Sequence, residues 1–261
     1  MLFQDQIGNT IEINHPPQRI ISLVPSQTEL LYHLGLGDSV VGITKFCIHP
    51  EEWFRSKERV GGPKQLDIEK IRRLNPDLII ANKEENIQEQ IEVISEFCPV
   101  WISDIYTLED SLQMIQKIGA ICGVSQKSDE INLKIKQNFL KLKPIKYSLS
   151  VLYLIWKDPF MAVASNTFIH HIIEEHLGLQ NCMREEERYP VLDESNLPQP
   201  DIVFLSTEPY PFKEKHIAEV QAFFPKAKIR IVDGEYFTWY GSRLIDTPNY
   251  LETVKKMLAL V

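Results

Sequence analysis

Short β-branched apolar runs alternate with stretches of helical period along most of the chain. In the first half the runs are "RIISLV" (19–24), "SVVGIT" (39–44), "DLIIA" (77–81) and "VWIS" (100–103). Each has strand length, and continuous apolar runs separated by amphipathic segments point to parallel strands joined by crossover helices. Helices are expected over "SQTE" (26–29) and onward to Gly35, over "DIEKIRRL" (67–74), and near 86–97 and 107–121. Ser26 and Glu29 have the spacing of a capping box, Asp67 is a second helix start, and Pro76 closes that helix. The second half repeats the scheme, with strands at 148–155, 201–206 and 228–233 and helices at about 167–177, 214–223 and 247–259.

Between the halves, residues 125–144 place Ile131, Ile135, Phe139 and Leu142 on one side at spacings of four and three, ending at Pro144. This predicts one helix rather than a flexible Gly/Ser linker. Phrases recur in the same order in both halves: "HLGLGD" (33–38) and "HLGLQN" (176–181), "NPDLIIA" (75–81) and "QPDIVFL" (199–205), "PVWISD" (99–104) and "KIRIVD" (228–233). The expected fold is therefore α/β, with two similar lobes, each a mainly parallel sheet flanked by helices. An N-terminal lobe (1–122) is joined by a long backbone helix (123–144) to a C-terminal lobe (145–261).

Length and charge narrow the function classes. A chain of 261 residues with 44% hydrophobic residues can bury two lobes' worth of core. Its formal net charge of −8 gives no general attraction to nucleic acid or anionic lipid. No apolar run has membrane-spanning length, the longest being "SVLYLIW" (150–156). The opening "MLFQDQIGNTIEI" lacks the pattern of an export signal, which leaves a cytoplasmic location open. Cys47, Cys98, Cys122 and Cys182 form no C-x-x-C pair, so neither a zinc knuckle nor a disulfide framework is indicated.

In open parallel sheets ligands meet the loops beyond the strands' carboxyl ends. Those loops hold Pro25 and Ser26, then Lys45, Phe46 and His49, Lys64 beside a glycine pair, and Lys83. The second half adds Trp156, Phe160, Glu208, Tyr210, Trp239, Tyr240 and Arg243. Lysines from one lobe and aromatics from the other suit a ligand with flat apolar faces and anionic or polar edges. The plainer reading is that loop lysines are solvated and the aromatics close the core. "KFCIHP" (45–50) admits three readings: a Cys47/His49 nucleophile and base, part of a metal site, or a wall of the ligand cleft. No orienting third group or oxyanion site accompanies the pair, so no catalytic residue is assigned. The cleft wall is preferred, with Lys45 and His49 as polar edges and Phe46 or Ile48 buried. His170, His171 and His176 lie among isoleucines and are read as packing residues.

Over nearly its whole length the chain resembles the substrate-binding proteins of ABC importers for vitamin B12, ferric siderophores and haem. The resemblance rests on "PPQRIISLVPSQTELLYHLGLGDSVVGIT", "VGGPKQLDIEKIRRLNPDLIIA", the central helix, "FIHHIIEEHLGLQN" and "LPQPDIVFL". It implies a ligand cleft between the lobes, no intrinsic cofactor, a cobalt- or iron-containing chelate as ligand, an ABC permease as partner, a monomer, and a periplasmic or membrane-associated extracytoplasmic location. It also implies permease docking through Glu69 and Glu194. No metal is expected to be held by the protein alone, although His49 is a candidate ligand to the metal of a bound complex. Where the vitamin B12 branch has indoles on the first lobe, this chain has Pro63-Lys64 and Asn82-Lys83, which favours a different or more anionic ligand. The other readings kept are a cytosolic corrinoid or metal-complex handling protein on the same fold, and an enzyme using Cys47 and His49.

Overall fold

The computed structural model describes residues 1–145 and 149–259. Residues 146–148 and 260–261, expected within the second lobe and in part within its first strand, lie outside the described residues. The chain divides into two compact units. The first comprises Met1–Ile105, Glu109–Ile135 and Tyr240–Arg243; the second comprises Tyr106–Leu108, Lys136–Trp239 and the residues from Leu244 on. The helix Ser125–Phe139 contributes residues to both.

The first unit is built on a five-stranded, wholly parallel sheet in the order Glu58–Arg59, Val40–Ile43, Ile20–Ser22, Leu78–Asn82, Val100–Ser103. Chain order runs outward from Ile20–Ser22 in one direction and then, from Leu78–Asn82, in the other. That reversal creates a switch point at the loops following these two strands. Both strands are buried along their whole length, as a sheet covered on both faces requires. Ile21, Leu23, Ile71, Ile79, Ile91 and Ile94 form much of the core, and each such side chain contributes roughly 1.5–3 kcal/mol of burial.

The second unit's sheet has the order Met161–Ala162, Ser150–Trp156, Ile202–Ser206, Lys228–Val232, with Gln180–Asn181 also on Ser150–Trp156. Only the short Met161–Ala162 strand is antiparallel. Leu152, Leu154, Val203, Leu205, Val220 and Phe224 fill its core.

The sequence repeat has a physical basis. In "HLG" of each half the glycine follows a helix in left-handed geometry, Gly35 at φ 77° and Gly178 at φ 74°. A side chain at 178 would also meet the Ile145 carbonyl at 2.8 Å. In each "PD" phrase the aspartate fixes the start of the neighbouring strand. Asp77 accepts from the Gln18 and Arg19 amides at 2.7 and 2.9 Å. Asp201 accepts from the Ser150 amide at 2.8 Å and its hydroxyl at 2.7 Å.

Some expected local features take another form. The first helix starts at Pro25, with Val24 as its cap and no side-chain cap bond. Ser26 is buried inside the helix, and the Glu29 carboxylate binds Arg243, so the expected capping box is absent. Asp67 does cap its helix, accepting from the Lys70 amide at 2.9 Å. The backbone helix ends at Phe139, ahead of Pro144. The helix from Phe168 changes to π geometry over Ile172–Leu177.

Candidate functional site

In the first unit, the loop after Val40–Ile43 is fastened from beneath by Cys47. Its side chain is fully buried, and its Sγ lies 3.1 Å from the hydroxyls of both Thr28 and Thr44. Thr28 in turn donates to Ser22 Oγ at 2.8 Å. Burial pushes the Cys47 thiol above its ordinary pKa, which removes the thiolate a nucleophile needs. With Cys47 turned inward, Phe46 and Ile48 on either side are 56% and 45% exposed. This corrects the expectation that one of those two is the buried member. The Lys45 amide donates to Gly61 O at 2.8 Å, and the Lys45 ammonium stands 5.2 Å from the Phe46 ring centre. Gly62 makes room for both, because a Cβ there would meet Lys45 Cε at 3.1 Å and the Phe46 ring at 3.2 Å.

The loop after Leu78–Asn82 is equally organised. Asn82 Oδ1 accepts from the amides of Glu84 and Glu85 at 2.9 and 3.0 Å, and Asn86 Oδ1 accepts from the Asn82 amide at 2.9 Å. Gln27 and Asn82 both donate to Ser103 Oγ, at 2.5 and 3.0 Å. Lys64 donates to the Glu84 carbonyl, and Lys83 pairs with Asp104 at 2.6 Å. Both lysines remain exposed.

Tyr240–Arg243 packs within this unit. Ser111 Oγ donates to Tyr240 O at 2.5 Å, and Ser242 Oγ lies 2.7 Å from His33 Nδ1. Arg243 makes a two-pronged bond to Glu29 at 2.7 and 3.1 Å, with both side chains only 13% exposed. Gly241 touches Ser26 O so closely that a Cβ would stand 2.6 Å away.

In the second unit, Trp156 ends its strand 41% exposed, with Tyr210 edge-on at 5.7 Å and Phe212 beyond it at 4.7 Å from Tyr210. Glu208 accepts from Trp239 Nε1 at 3.1 Å and from the Thr238 hydroxyl. Trp239 is buried in this unit, and Tyr240 is buried in the first. Phe160 lies in the core, edge-on to Phe223 at 5.3 Å. Elsewhere in the second unit, three residues not singled out from sequence meet. Arg188 Nη1 lies 3.4 Å from the Tyr106 hydroxyl, and its guanidinium stands 5.8 and 5.9 Å from the Tyr106 and Tyr189 ring centres.

The expected ligand residues thus fall into groups. Lys45, Phe46, His49, Lys64, Lys83, Trp156 and Tyr210 are exposed or half-buried on carboxyl-end loops, with Pro25 beside Ser26 at a helix start. Ser26, Phe160, Trp239 and Tyr240 are packed, while Glu208 and Arg243 hold neighbouring residues. Glu69 is exposed in the first turn of Ile68–Arg73. Glu194 is exposed in a turn whose Asp193 accepts from the Ser195 amide at 2.9 Å. Among the described residues no group of three or more His, Cys, Asp or Glu side chains is arranged to hold a metal ion.

Residues 20–226 match the model of the periplasmic binding protein family. The chain belongs to that family. An ABC transporter substrate-binding lipoprotein of Bacillus subtilis is 30% identical over 139 residues, which cover 51% of this chain and 43% of that protein. A vitamin B12-binding protein of Vibrio campbellii is 26% identical over 200 residues, covering 74% of this chain and 72% of that protein. The fold is shared with a crystal structure from Staphylococcus epidermidis described as a possible iron-binding (periplasmic solute-binding) protein. That match has a TM-score of 0.77, 20% identity, and coverage of 94% of this chain and 99% of the other. The protein is accordingly a binding protein, not an enzyme.

Proposed function

We propose that this protein is the substrate-binding component of an ABC importer and that its cargo is a metal chelate, a corrinoid or a ferric siderophore. The observation that carries the reading is the exposure of Phe46 and Ile48 on a carboxyl-end loop of the first unit; in the second unit, considered by itself, Trp156 is exposed at the end of its strand. Large apolar side chains held out in water by an anchored backbone are contact surface for a flat apolar body. Lys45, His49, Lys64 and Lys83 supply polar and cationic edges around it, and His49 is the candidate to approach the metal of the complex. The names of the Vibrio and Staphylococcus proteins support a cobalt- or iron-containing cargo. The lipoprotein relative supports an extracytoplasmic place of work. Glu69 and Glu194 are assigned to permease docking, Glu69 with the better support because it projects from a capped helix start.

The test is titration with cobalamin, cobinamide, haem and a panel of ferric siderophores, followed by tryptophan fluorescence with inner-filter controls. Trp53, Trp101 and Trp239 are buried, which makes Trp156 the expected reporter. One chelate class should quench it saturably, and Phe46→Ala should weaken that affinity by about tenfold, the equivalent of ~1.4 kcal/mol. Absence of binding by every chelate would overturn the proposal.

A further inference from the structure

Three loops at the carboxyl ends of strands in the first unit are knitted together. Gly62 lies against Lys45 and the Phe46 ring, Asn86 Nδ2 donates to Pro63 O at 3.2 Å, and Lys64 donates to the Glu84 carbonyl. Glu85 stands on this surface. Its amide is held by Asn82 Oδ1 at 3.0 Å, which fixes where the side chain starts, and the residue is exposed. Its charge acts both on Lys64 and on the Cys47 thiol that anchors Phe46 and Ile48, so the carboxylate is within electrostatic reach of the loops that carry them.

The charged groups here differ in what already holds them. Lys64 is bound to the Glu84 carbonyl and Lys83 to Asp104, while the Lys45 ammonium stands 5.2 Å from the Phe46 ring centre. Among the described residues no hydrogen bond or ion pair reaches the Glu85 carboxylate. Nor does it behave as a freely solvated acid. The protein crowded around it raises its carboxyl above the ordinary pKa of 4.5, and the charge of Lys64 opposes that rise only in part. A carboxylate so placed is stabilised by a charge-assisted hydrogen bond from outside the chain and repels a second carboxylate. We propose that Glu85 is a specificity residue of the chelate site, accepting a hydrogen bond from an N–H group of the cargo, so that a chelate bearing a carboxamide or ammonium group is preferred over one bearing a carboxylate there. The inference rests on the chelate-binding function proposed above and adds a chemical requirement to it. It differs from the expectation of a more anionic ligand drawn from Lys64 and Lys83, because both of those lysines are engaged within the chain.

Two matched ligand pairs separate the sources of the N–H group. Cobinamide against its monocarboxylic acids, in which one side-chain carboxamide is hydrolysed, tests the carboxamide. Ferrioxamine B against its N-succinyl derivative, in which a carboxylate replaces the ammonium end, tests the ammonium. The wild-type protein should bind the first member of one pair about tenfold more tightly. Glu85→Gln, which keeps the side chain's size and removes its charge, should bring the two members within about twofold of each other, and Glu85→Asp should keep a reduced preference. Glu89→Gln, which removes an exposed acid from the first turn of the following helix Gln88–Ser95, should leave the preference unchanged. A wild-type protein that binds chelates without preferring the first member of either pair, a Glu85→Gln variant that keeps the preference, or a Glu89→Gln variant that loses it equally overturns this inference and leaves the binding function standing. Failure of all four ligands, haem and the other ferric siderophores to bind overturns both.

Discussion

Cys47 shows how one inward side chain sets two outward ones. Its thiol sits between the hydroxyls of Thr28 and Thr44, and Phe46 and Ile48 are left in solvent as a consequence. Burial raises the pKa of all four cysteines, to about 12 for Cys98 and Cys122. A disulfide reagent such as DTNB should therefore react slowly with the native protein at pH 8 and rapidly after denaturation. Prompt labelling of Cys47 in the native state would contradict the inward placement. The Glu29–Arg243 pair makes a second prediction. Because both side chains are 13% exposed, Glu29→Gln leaves a largely buried guanidinium without its carboxylate and should cost ~2–4 kcal/mol in urea denaturation. A loss below about 0.5 kcal/mol would show the pair to be solvated, as surface pairs are.

At the scale of elements, the two aspartates that begin "DLIIA" and "DIVFL" act as clamps on adjoining strands. Bonds from the Ser150 amide and hydroxyl hold the Asp201 carboxyl below its ordinary pKa of 3.8. A depressed folded-state pKa gives stability that is complete above about pH 5 and is lost as pH falls through and below 3.8. Asp201→Ala should cost ~1 kcal/mol at neutral pH and flatten the acid limb of the stability profile; an unchanged limb would count against the clamp. His176, in the π-helical turn, behaves in a related way. Burial, aided by the nearby His171, lowers its pKa from 6.5 to about 4, so the unfolded chain takes up the proton first. Stability should decline as pH falls from about 6.5 toward 4, and His176→Phe should remove that slope; a wild-type urea midpoint constant across this window would contradict the buried neutral ring.

These elements also show what could be read in advance. Gly35 and Gly178, and Asp77 and Asp201, were legible because each answers a local backbone requirement within a repeated phrase. The inward member of Phe46-Cys47-Ile48 was not, because three apolar residues in a row carry no alternation and the choice is made by Thr28, which is distant in sequence. The capping box failed for the same reason: Glu29 has a partner 214 positions away. The left-handed backbone at Arg188, with φ 60°, leaves no mark in composition or period.

For the whole molecule, a chain of the periplasmic binding protein family carries two sets of anchored loops, one in each compact unit. No helix among the described residues is long and apolar enough to cross a membrane. Glu69→Lys should leave chelate affinity unchanged but reduce chelate-stimulated ATPase activity of the cognate transporter several-fold; undiminished stimulation would remove Glu69 from docking. The central claim is that the cargo is a metal already chelated. Equilibrium dialysis with cobalt and iron counted by mass spectrometry tests it most directly. One metal per chain is expected with the cognate chelate and none above background with free Co²⁺ or Fe³⁺. Equal uptake of the free ion, or no uptake from any chelate, would contradict it.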